Sequence, residues 1–80
     1  MNFGEAIKSL KSGNKLARVG WNGKGIFLEL QVPNEHSKMS STYIYIDTTG
    51  LQTDNALAPR VLVPWLPSQT DILSEDWVEV

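Results

Sequence analysis

Leu16-Ala17-Arg18-Val19-Gly20-Trp21-Asn22-Gly23-Lys24-Gly25-Ile26-Phe27-Leu28-Glu29-Leu30-Gln31-Val32 is the stretch that decides the fold. From Ile26 to Val32 apolar and polar residues alternate, with Ile26, Leu28, Leu30 and Val32 on one face and Phe27, Glu29 and Gln31 on the other. That pattern belongs to a half-buried antiparallel strand. Leu16 to Val19 is a short strand ahead of it, and Asn22-Gly23 supplies the positive backbone angles of a type I′ turn, so the stretch predicts a β-hairpin. Trp21, set among glycines, falls where the backbone turns and cannot easily hide within a strand. Two readings follow: a planar ligand stacks on it, or it packs on Trp65 or on a neighbouring subunit.

On the N-terminal side, Phe3, Ala6, Ile7 and Leu10 recur at helical spacing, opposite Glu5, Lys8, Ser9 and Lys11. Asn2 with Glu5 makes a capping box, Lys8 and Lys11 suit the C-terminal end of the dipole, and Gly13 stops the helix. On the C-terminal side, residues 33–41 are polar and aperiodic and form an exposed loop holding His36. Thr42 to Ile46 is a strand with Tyr43 and Tyr45 on one face and Ile44 and Ile46 on the other. Asp47 to Gly50 is a turn, Leu51 to Thr53 a short strand, residues 54–59 a loop and Arg60 to Val63 an apolar strand. Pro64 and Pro67 bracket Trp65 and Leu66 in an ordered bend. Ser68-Gln69-Thr70-Asp71 reads as a capping box opening a short helix through Ser74, whose first amides either receive an anion or are satisfied by Ser68 and Asp71. Trp77 to Val80 is a final strand. The expected fold is α+β: one domain over residues 1–80, with an N-terminal helix and a short second helix on a mainly antiparallel sheet of about five strands.

A chain of 80 residues buries a modest fraction of its surface and gains from disulfides, a metal or oligomerisation. It has no cysteine and one histidine, which removes disulfide staples, thiolate zinc sites and a histidine-rich metal site. Oligomerisation is the remaining support. The net charge of −2 speaks against an electrostatic grip on polymeric nucleic acid or an anionic membrane. No secretory leader or apolar span is visible, so the chain reads as cytoplasmic.

No enzyme motif emerges. A nucleophile triad has no meaning around the lone loop histidine, and the glycines at 20, 23 and 25 lack the strand-loop-helix context of a phosphate loop. Lys24 is a turn lysine or a phosphate contact. Asp71, Glu75 and Asp76 suggest a metal or acid-base cluster, or simply acidic residues placed for a helix dipole. Binding fits better than catalysis, with no cofactor. Trp21 and Trp65 offer stacking planes, Asn22, Gln69 and Thr70 hydrogen bonds to a base edge or ribose, and Arg18 and Lys24 positive charge.

Three segments carry a family resemblance: Asn2-Phe3-Gly4-Glu5-Ala6, Ala17 to Gly25, and Val63-Pro64-Trp65-Leu66-Pro67-Ser68-Gln69-Thr70-Asp71 continuing to Trp77. Together they resemble small phage and prophage proteins, the second type of Thoeris anti-defence protein. The resemblance implies a homotetramer of small α+β protomers with pockets between subunits. These bind and sequester a nucleotide messenger, glycocyclic ADP-ribose, so that the defence effector is never activated. Within such a pocket, residue chemistry makes Arg18, Trp21, Asn22, Lys24, Trp65, Gln69, Thr70 and Asp71 the candidate ligand-binding residues. The alternatives are a sponge for cyclic dinucleotides, an enzyme that hydrolyses the messenger, or a protein-interaction module that inhibits a host enzyme through its tryptophans. Residues 33–60 depart from the family pattern and bear on ligand preference.

Overall fold

The computed structural model describes residues 1–80 and shows an α+β architecture. Helix α1 (Phe3–Lys11) is followed by strands β1 (Leu16–Arg18), β2 (Phe27–Gln31), β3 (Tyr43–Asp47) and β4 (Leu62–Pro64), helix α2 (Gln69–Leu73) and strand β5 (Trp77–Glu79). All pairings are antiparallel, in the order β4-β3-β2-β1-β5. The last strand closes on the first because Arg18 lies opposite Trp77 and Leu16 opposite Glu79.

Local chemistry explains the first element. The Asn2 side chain accepts from the Glu5 amide at 2.8 Å while the Glu5 carboxylate accepts from the Asn2 amide at 2.9 Å, a complete capping box. Gly13 ends the helix at φ +94°, a left-handed angle that other residues adopt at a cost. The helix lays Ala6 and Leu10 on the sheet, where they meet Leu16, Leu28 and Trp77; these five are the fully buried apolar residues. Residues opposite one another across an antiparallel pair share a face. Leu28 faces Ile46 and Leu30 faces Ile44, so the core continues along β2 and β3 as partly buried aliphatics. Tyr43 and Tyr45 stand on the other face, as their alternation requires.

Several details differ from the sequence reading. Asn22 does not form a type I′ turn, since the positive-φ residues are Gly13 and Gly25 alone. The connection instead widens: Lys24 pairs with Gln52 as an isolated bridge, and Gly25, at φ +84°, lies against Gly50 so closely that a Cβ would meet the Gly50 carbonyl oxygen at 2.1 Å. A long-range contact therefore replaces the tight turn, and the short strand expected over 51–53 contracts to that bridge. The strand expected over 60–63 lies at Leu62–Pro64, where Pro64 is tolerated because β4 is an edge. The second capping box forms by half. Ser68 Oγ accepts from the Asp71 amide at 3.1 Å, but the Asp71 carboxylate accepts from the Ser68 hydroxyl, Arg18 and Trp21 instead of from the Ser68 main-chain N–H.

Candidate functional site

Three tryptophans gather on the helix-bearing face of the sheet, at the end where α2 meets the β1–β2 connection. Trp77, fully buried, is their centre. Trp21 meets it edge-on at 5.5 Å between ring centroids and 80° between planes, Trp65 at 6.0 Å and 84°, and Phe3 packs on both Trp77 and Trp65. Edge-to-face geometry sets the positive rim of one ring against the negative face of the next. Trp21 and Trp65 are half-buried, so each has surface left over for another partner. Both pack on Trp77.

Beside the aromatic cluster lies a polar one. Arg18 projects from β1 to the same side as Trp77, and its Nε donates to Asp76 Oδ1 at 2.8 Å, its Nη1 to Asp71 Oδ1 at 2.8 Å and its Nη2 to Asp76 Oδ2 at 3.4 Å. Asp76 also accepts from the Gly20 amide at 2.7 Å, and a side chain at Gly20 would set its Cβ 2.8 Å from that carboxylate. Asp71 Oδ1 accepts the Trp21 indole N–H at 3.1 Å, while the Asp71 main-chain carbonyl accepts the Trp77 indole N–H at 3.0 Å. The charges respond. Hydrogen bonding to Asp76 first and Asp71 second raises the Arg18 pKa, and Arg18 in turn holds the Asp76 carboxyl below its usual range. Burial pushes the Asp71 carboxyl up, but hydrogen bonds from Arg18, Trp21 and Ser68 outweigh it and leave it lowered.

Trp21, Asn22, Trp65 and Asp71 line a common depression of about 290 Å³, completed by Gly23, Ile26 and Ile46. Two candidate segments separated in the chain thus meet within one protomer. Arg18 and Lys24 instead line a second depression of about 540 Å³, together with Lys15, Phe27, Val78 and Val80, and Trp21 borders both. Lys24 Nζ donates to the carbonyls of Val19 at 2.9 Å and Trp21 at 3.0 Å, which fastens the loop and leaves one of its three N–H groups free. Gln69 and Thr70 sit exposed in the first turn of α2 and line neither depression. His36 is exposed, with Nε2 3.4 Å from Glu35.

Asp76 joins Asp71 here through Arg18 and not as an acidic cluster with Glu75, and Gly20 and Trp77 belong to the constellation although the sequence did not assign them to it. The signal that would have found them is register: pairing β5 with β1 puts Asp76 beside Arg18.

These features define a small α+β protein with an aromatic recess bordered by an amide and a carboxylate that is neutralised from behind. The model of the Thoeris anti-defense 2-like domain matches residues 1–80. The chain is also 38% identical over 81 residues to a Bacillus phage SP01 protein named Thoeris anti-defense 2, an alignment covering 96% of this chain and 91% of that relative. The chain belongs to the Thoeris anti-defense 2-like family.

Proposed function

We propose that this protein counters Thoeris defence on behalf of a phage by binding and sequestering glycocyclic ADP-ribose in the host cytoplasm, without cleaving it. The observation that carries the reading is the recess that Trp21 and Trp65 share with Asn22 and Asp71. A stacking surface and an amide side by side are what a base and its sugar require. Membership of an anti-defence family supplies the biological direction. Ligand phosphates meet Lys24 at the loop rim, since Arg18 is occupied by its two carboxylates. With openings this shallow, the bound messenger is enclosed by a second protomer, in keeping with the expected tetramer, and Gln69 and Thr70 contribute across that boundary.

Titration calorimetry with glycocyclic ADP-ribose and, in parallel, with cyclic dinucleotides tests the proposal. Saturable binding of the first with a fixed ratio per protomer is expected. Absence of binding to any of these nucleotides, by a protein that remains folded, would refute it.

A further inference from the structure

Asp71 stands between the recess and the body of the protein, and its bonding is nearly complete. Oδ1 accepts from Trp21 Nε1 at 3.1 Å and from Arg18 Nη1 at 2.8 Å, and Oδ2 accepts from the Ser68 hydroxyl at 2.9 Å. A carboxylate has about four lone-pair sites, so little capacity is left for a ligand hydroxyl. The Trp21 ring, by contrast, needs an orienting contact. It hangs from the connection between β1 and β2, and its edge contact with Trp77 at 5.5 Å fixes distance more firmly than rotation. The N–H to carboxylate bond is directional and supplies the missing constraint. Arg18, clamped from the far side by Asp76, holds the carboxylate still and balances its charge.

We infer that Asp71 is a positioning residue for Trp21: its carboxylate fixes the indole in the orientation that lines the recess, and it governs ligand affinity through that ring instead of touching the ligand. The affinity part rests on the proposed nucleotide binding, while the orientation part does not. Replacing the side chain spares the rest of the local structure. The Ser68 cap bonds the Asp71 main-chain N–H, Trp77 bonds its main-chain carbonyl, and Arg18 keeps Asp76.

The test has a ligand-free arm and a binding arm. In proton-nitrogen spectra of the free protein, with Trp21→Phe identifying the resonance, Asp71→Ala should shift the Trp21 indole N–H and speed its solvent exchange by at least about tenfold, leaving the Trp77 indole in place. In a double-mutant cycle with glycocyclic ADP-ribose, Asp71→Ala should weaken binding about tenfold in the parent and by less than about twofold in the Trp21→Phe background, because the bond is then already gone. An unmoved Trp21 indole overturns the inference, and so does an equal loss in both backgrounds, which would mean direct contact with ligand. If Asp71→Ala does not fold, Asp71→Asn carries the comparison: weaker binding with an unchanged indole resonance overturns it, and a shifted indole upholds it. A parent that binds no nucleotide removes the proposed function alone, and the spectra still decide the orientation.

Discussion

Trp21 carries two loads with one ring, since its contact with Trp77 completes the aromatic core and its remaining surface lines the recess. Trp21→Ala should therefore weaken nucleotide binding by about 1–3 kcal/mol, the range for loss of base stacking, and also lower the melting temperature. Calorimetry beside thermal melts separates the two effects. Trp21→Phe, which keeps a ring against Trp77 but has no N–H, should regain much of the stability and less of the affinity. Unchanged affinity in a folded Trp21→Ala variant would remove the stacking role. The carboxylates make a second prediction at this scale. Asp71 and Asp76 have pKa values lowered by folding, so their contribution is complete above the unfolded carboxylate value of about 3.9 and is lost as pH falls through their lowered folded values. Urea midpoints should drop on acidification through that window. In Arg18→Gln, which removes the common donor, the drop should be shallower, and an identical slope would show that the cluster does not govern acid stability.

At the scale of elements, the β2–β3 ladder sets Tyr45 opposite Glu29, and the phenol donates to the carboxylate. That hydrogen bond first, then burial, pushes the Tyr45 pKa up to about 12. Because the folded value is raised, this pair's contribution is present below the ordinary phenol value of about 10 and is lost as pH rises through the folded one. Ultraviolet titration should show a tyrosine ionising late, and Glu29→Gln should bring it to lower pH; a late transition that stays in place would contradict the pairing. The Gly25 turn makes a further prediction. Gly25→Ala should cost about 1–3 kcal/mol from its left-handed backbone alone, with the Gly50 carbonyl adding to it, as read from denaturant unfolding. The elements differ in how far they can be read from sequence. Helix α1 was legible because its caps and apolar face lie within one short segment. Strands β2 and β3 were legible by alternation. The Asn22-Gly23 turn misled, because the preference of two residues yields to the Lys24–Gln52 bridge and the Gly25–Gly50 contact, which no local pattern announces. The Arg18 network spans 53 and 58 residues of sequence, so its partners became visible only through strand register.

For the whole molecule, five fully buried apolar residues are few, and Leu62 and Leu66 remain 59% and 89% exposed. Trp77 is the keystone of that core, and Trp77→Ala should cost about 3–5 kcal/mol, enough to unfold a marginal protein, as circular dichroism would report. The small core and the exposed apolar residues favour assembly. Sedimentation at micromolar concentration should show a tetramer, and a folded 8.9 kDa monomer would remove any pocket shared between subunits. Candidate residues on both depressions were legible as types, an aromatic beside amides and charges. Their division between ligand, core and loop support was not, because it depends on which way each side chain turns once the sheet has formed. Capture without chemistry is what separates a sponge from an enzyme that cleaves the messenger, and a mass balance distinguishes the two. Glycocyclic ADP-ribose is incubated with excess protein, freed of unbound ligand by filtration, released by heat denaturation and measured by mass spectrometry. For a sponge, the retained ligand should return intact in proportion to protein and independently of incubation time. Disappearance of the ligand with a linear or hydrolysed product accumulating over time would contradict it.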